Sequence, residues 1–131
     1  MKSLAVAYVS TLISMLLVDA VWLWKMGPLL YRPAIGEMML DGFRPIPAAL
    51  FYLIYVFALV YFAVRPGLAA GAWVTLVNAA LFGFAAYATY DLTNQATLKT
   101  WPALLTVVDL CWGTALSAFG ASVGRWAATH V

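Results

Sequence analysis

Residues 85–102, AAYATYDLTNQATLKTWP, end one long apolar run and begin another. Between the two runs stand Tyr87, Tyr90, Asp91, Thr93, Asn94, Thr97 and Lys99, the most polar cluster of the chain. Working outward, the run before it covers 72–90 and the run after it 102–123. Two more apolar runs lie upstream, at 4–24 and 46–64. A helix needs about twenty residues to cross a bilayer, and each run is near that length.

Composition points the same way. Hydrophobic residues make up 66% of the 131 and charged residues 9%, with a mean hydropathy of +0.94. Soluble domains carry roughly a quarter charged residues, so this chain has too few to cover a surface in water. The lipid bilayer is its expected partner. A net charge of +2 without a basic stripe excludes nucleic acid. Hydrocarbon offers no hydrogen bonds, so each run is expected to be helical. The fold class is all-α: a polytopic membrane protein whose four transmembrane helices form one antiparallel bundle over residues 1–131. The first run is too long for a signal-peptide core and is expected to stay as a membrane helix.

The breaks are read from proline and glycine. Residues 26–47 hold Pro28, Pro33, Pro45 and Pro47, and RPG at 65–67 reads as a tight turn. Pro102 suits the first turn of the last helix. Within the first break, Ile35, Met38 and Met39 recur at helical spacing opposite Glu37 and Asp41. A short interfacial helix and a disordered loop fit that pattern equally well. Four spans put both termini on one side, A, and the first and third loops on the other, B. Lys2, Arg65 and Arg125 lie toward A; Lys25, Arg32, Arg44 and Lys99 lie toward B. That even division gives no orientation under the positive-inside rule.

Three aspartates fall inside or at the edge of spans: Asp19, Asp91 and Asp109. An aspartate at the centre of a membrane helix costs about 2.5–3.5 kcal/mol, and such residues face the bundle interior. Asp19 precedes the B end of the first span, Asp109 follows the B start of the fourth, and Asp91 ends the third at B. All three belong to one half of the membrane. Residues four apart share a helix face. From Asp91 that row reads Tyr87, Gly83, Ala79; from Asp109 it reads Gly113, Ser117, Ala121; from Asp19 it reads Met15, Thr11, Ala7. Small residues permit close helix contact, so these faces are expected to pack. Gly120 and Gly124 form a GxxxG on another face, suited to contact within or between chains.

VDAVW and VDLCW place Trp22 three residues after Asp19 and Trp112 three after Asp109, within reach of an indole-to-carboxylate bond. Tyr52 and Tyr55 of the second span lie at the same level, and the four B-side basic residues are within reach of the acids. The expectation is a polar, aromatic-rimmed pocket open to side B, covered by the first loop. Its lining is Asp19, Trp22, Tyr52, Tyr55, Tyr87, Tyr90, Asp91, Asn94, Asp109 and Trp112. Asn78 is expected to bond between helices, Thr93 and Asn94 to satisfy the end of span three, and Arg65 and Arg125 to anchor side A. Cys111 reads as an inert core thiol. His130, the lone histidine, supplies no metal site, and no cofactor is implied.

At these residues the chain resembles the bacterial four-span membrane proteins grouped as domain of unknown function 2177. The matching features are VDAVWL, Tyr31, FYLIY, YATYDLTN with the following WP, and Asp109 with WG at 112–113. The resemblance implies a multi-pass protein of the bacterial inner membrane and no particular activity. Three readings of function remain open. One is binding or transport of a small cationic or lipid-like solute. Another is a non-catalytic subunit of a homodimer or larger membrane complex, its aspartates paired across helices or with Arg32, Arg44 or Lys99. The third is a lipid-acting enzyme with acid–base aspartates, or with Mg²⁺ or Mn²⁺ on the three carboxylates and Asn94. No HExxH, GxSxG or glycine-rich phosphate loop is present.

Overall fold

A computed structural model describes all 131 residues. The chain is 88% helical with no strands. Its six α-helical segments are α1 (Lys2–Met26), α2 (Arg32–Ile35), α3 (Pro45–Leu59), α4 (Arg65–Ala70), α5 (Ala72–Thr97) and α6 (Ala103–Ala128). They merge into four continuous helices long and apolar enough to cross a membrane: Lys2–Met38, Pro45–Ala70, Ala72–Thr97 and Ala103–Ala128. Of 103 backbone–backbone hydrogen bonds, 93 lie inside helices. The backbone therefore satisfies itself, as hydrocarbon demands.

The prolines break less than their number suggests. α1 runs through a π-helical turn, Gly27–Tyr31, directly into α2 and a short 3₁₀ turn, Gly36–Met38. Pro28 stands at the start of the widened turn, which accommodates its ring and missing N–H. The first half of the expected loop is thus a helical extension. Leu30 is buried there against Trp101 and Leu105 at the start of α6. A second π turn, Val60–Val64, joins α3 to α4. RPG is therefore helical, and the tight turn read at 65–67 falls instead at Gly71, whose φ of 118° suits glycine alone. Gly67 is small for a different reason, since a Cβ there would overlap Thr75.

α6 is the central helix. Ten of its residues are buried, against four each on α1 and α5, and its contacts with those two helices are the most extensive in the molecule. On α1 the buried residues are Ala7, Thr11, Met15 and Asp19; on α5 they are Thr75, Ala79, Gly83 and Asp91. Each set is one stripe at fourfold spacing and follows the row read from its aspartate, except that on α5 Tyr87 is only half-buried and Thr75 extends the row. α6 carries two stripes. Asp109, Gly113, Ser117 and Ala121 meet α5, and Gly120 and Gly124 meet Met15, Thr11 and Ala7 of α1. The GxxxG pattern thus serves contact within the chain.

Side-chain bonds to backbone carbonyls tie the A side. Asn78 donates to the Phe62 carbonyl at 3.1 Å and Arg125 Nε to the Gly67 carbonyl at 2.8 Å. Arg65 lies over the Tyr61 ring at 5.1 Å. Trp73 and Trp126 are exposed near this end, as belt aromatics are. Cys111 is exposed on α6, facing outward rather than into the core as its apolar context suggested.

Gly113 tests the packing. A Cβ there would meet the Tyr87 ring, and overpacking of this kind costs about 1–3 kcal/mol. Gly113→Ala is expected to lower the unfolding midpoint in detergent, whereas Gly42→Ala, with open space around it, leaves it unchanged. Equal midpoints would contradict the close α5–α6 approach.

Candidate functional site

The B-side half of the bundle holds all three membrane aspartates. Asp19, Asp91 and Asp109 are buried, at 8%, 0% and 5% exposure. α1 presents Asp19 toward α6, where Trp112 Nε1 donates to its Oδ1 at 2.9 Å. The Tyr52 hydroxyl of α3 donates to Asp19 Oδ2. On α6, Asp109 Oδ1 accepts the hydroxyl of Tyr31, carried by the π turn beyond α1. Tyr31 in turn accepts a bond from Trp22 Nε1 at 3.0 Å. The two indoles stack, with ring centroids 4.2 Å apart and planes 7° from parallel.

The result is a reciprocal exchange between antiparallel helices. Trp112 of α6 serves the aspartate of α1, and Trp22 of α1 serves the aspartate of α6 through Tyr31. The similar VDAVW and VDLCW segments suggested bonds within one helix, but each indole reaches across instead. Crossing places the donor on the partner helix, so the bond also fixes the register of α1 against α6.

Asp91 differs from both. It is fully buried, and neither carboxylate oxygen has a hydrogen-bond partner. The α5–α6 register sets what faces it. The Tyr87 ring covers Gly113, and the Thr106 hydroxyl donates to Gln95 Oε1 at 2.7 Å. Between those two pairings the antiparallel register sets Asp91 opposite Asp109. Trp101 Nε1 donates to Thr106 Oγ1 at 3.1 Å and closes this end of the interface.

The other expected site residues separate. Tyr55 is buried and shares a 2.6 Å hydrogen bond with Ser117 of α6, away from the carboxylates. Tyr87 contributes its ring to the α5–α6 contact and stands edge-on to Tyr55. Tyr90 is 56% exposed and lies edge-on to Trp101. Asn94 is half-buried and makes no bond to any of the three aspartates. The Thr93 hydroxyl bonds the Thr89 and Tyr90 carbonyls of its own helix. Lys25, Arg32, Arg44 and Lys99 are all exposed, and every donor to Asp19 or Asp109 is a tyrosine or tryptophan.

The expected open pocket shared by three carboxylates is not what the helices form. None of the five principal clefts is lined by an aspartate. Nor do any three acidic, histidine or cysteine side chains group closely enough to hold a metal ion, so a metal on the three carboxylates and Asn94 has no geometric basis. Three clefts border the network: one of about 510 Å³ lies against Trp22 and Trp112 on the outer side of α1, and two flank α3. One of about 620 Å³ opens between α1 and α3, with Tyr52 in its wall; another of about 270 Å³ lies between Phe51, Tyr55, Tyr87 and Tyr90. Tyr31 was missing from the expected site. Its signal was its place in the resemblance, one helical turn into a stretch read as loop.

A family described as "Predicted membrane protein (DUF2177)" matches residues 4–126, nearly the whole chain. The chain belongs to this DUF2177 family. It is a multi-pass integral membrane protein, as the family description and its four apolar helices agree. No curated protein and no solved structure matches it.

Each donor in this DUF2177 network is expected to carry stability. Tyr31→Phe, Tyr52→Phe and Trp112→Phe each leave an aspartate short of one donor, at a cost of about 1–2 kcal/mol. Thermal unfolding in detergent should show all three below wild type, with the lipid-facing Tyr61→Phe unchanged. No loss in any of the three would refute the network.

Proposed function

We propose that this protein is a bacterial inner-membrane protein that binds, and carries across the bilayer, a small cationic or lipid-like solute. The whole chain acts in this reading as one four-helix domain. The observation that carries it is the charge content of the bundle interior: three buried carboxyl groups, aromatic neighbours and no basic side chain. Acidic groups retained within a membrane span mark substrate and ion paths, and aromatic faces attract cations.

The clefts beside α3 supply routes from the lipid. Tyr52 lines the α1–α3 groove while its hydroxyl holds Asp19, so it stands between that groove and the carboxylate. The aromatic cleft beside α5 offers ring faces from Phe51, Tyr55, Tyr87 and Tyr90. Four helices are few for alternating access about a central site, so a homodimer is the working unit in this reading. The even division of Lys and Arg is compatible with insertion either way round.

A second reading has one observation in its favour. Asp19 and Asp109 each already have donors from within the chain, as structural carboxylates do. On that reading the protein is a non-catalytic subunit, and purification in mild detergent would bring down a fixed larger assembly.

Reconstituted vesicles distinguish the two. Uptake of tetraphenylphosphonium, driven by a pH gradient, is expected to exceed that of protein-free vesicles and to fall to their level in Asp109→Asn. Wild-type uptake equal to protein-free vesicles, with no quenching of tryptophan fluorescence by the cation, overturns the transport reading.

A further inference from the structure

We propose that Asp91 and Asp109 hold one exchangeable proton between them and form a proton-binding site of this protein. Asp91 is 0% exposed and both its oxygens lack a partner. A buried carboxylate without a donor or cation is among the costliest groups a protein can hold, more so where the surroundings are lipid. Something must therefore sit on it, and the geometry restricts what.

The groups around the pair come from every packed element. α6 supplies Asp109, and α5 itself supplies Tyr87 and Tyr90. The π turn beyond α1 supplies Tyr31, which occupies Oδ1 of Asp109. α1 supplies Asp19, already held by Trp112 of α6 and by Tyr52, the contribution of α3. No lysine, arginine or histidine is among them. No group of three metal-ligating side chains exists, and no principal cleft is lined by either aspartate. A proton needs no cavity. It joins one oxygen of Asp91 to the free Oδ2 of Asp109, and the pair then carries one negative charge instead of two. Facing carboxyls resolve their repulsion in this way elsewhere.

The site lies toward the B-side ends of its two helices. Asp91 lies six residues before the end of α5 at Thr97, and Asp109 six after the start of α6 at Ala103. At about 1.5 Å per residue, both are roughly 9 Å from the B-side ends of their helices. The inference does not depend on any solute being carried.

Dicyclohexylcarbodiimide, an apolar reagent selective for protonated carboxyls, reads the site directly. Protein in lipid nanodiscs is treated across a pH series without added sodium, and the label is located by mass spectrometry. The expected result is one label per chain, on Asp91 or Asp109, lost as pH rises. In Asp91→Asn the label is expected to be lost from Asp109 too, since Tyr31 still donates to that carboxylate, whereas in Asp109→Asn the buried Asp91 is expected to keep it to higher pH, each variant checked for monodisperse folding. Exposed Glu37 and Asp41 serve as unlabelled controls. Absence of label, labelling of Asp19 alone, or labelling indifferent to pH overturns the proposal. Protection by sodium at fixed pH overturns it too, since a metal cation would then be the occupant. Because no solute is present, failure here is separable from failure of uptake.

Discussion

A carboxyl group removed from water requires hydrogen-bond donors or a positive charge, and the interior of this bundle holds three carboxyls and no basic side chain. That constraint organises the B-side half. It explains why tryptophan and tyrosine are concentrated there, since they carry polar hydrogens on apolar bodies that membrane helices tolerate. It also explains why those donors come from other helices. A donor on the same helix would satisfy the acid but leave the bundle unspecified. A donor from across the interface satisfies the acid and sets helix register together.

Packing at the other end of the helices works by a different means. Toward side A the contacts are made by absence of side chain: Gly120 and Gly124 against Met15 and Thr11, and Gly67 against Thr75. Close approach at small residues supplies the van der Waals contact that drives association in lipid. α6 takes part in both mechanisms, with small residues toward A and aspartate toward B, which is why it is the helix most enclosed by its neighbours. α3 is secured chiefly through the π turn at Val60–Val64, leaving its first half beside two clefts.

Much of this was legible in the sequence, because in lipid the rare residues are the informative ones. Stepping by four from each aspartate named the buried stripe on α1, α5 and α6, since only small or polar residues interrupt otherwise uniform apolar helices. What was not legible had physical causes. Proline was read as a break, but a π turn absorbs Pro28 and continues the helix, and widened turns have no composition signature. Tyr31 was hidden by that same reading. Trp22 and Trp112 were assigned to their own helices because sequence offset cannot represent a neighbour across a bundle interface. The pocket was expected because three acids share a level. Tyrosine and tryptophan donors instead hold Asp19 and Asp109, and the clefts lie outside, beside α3 and against the Trp22–Trp112 stack.

The π turn at Gly27–Tyr31 has a consequence for how the molecule responds to its surroundings. A π turn holds one residue more than an α turn over the same rise, and each residue advances about 100° around the axis. Releasing that extra residue would swing Tyr31 by that angle and carry its hydroxyl off Asp109. The helical arm running on to Met38 would rotate by the same amount. Any change in the winding of that turn therefore reaches the buried acid as the loss of a single hydrogen bond.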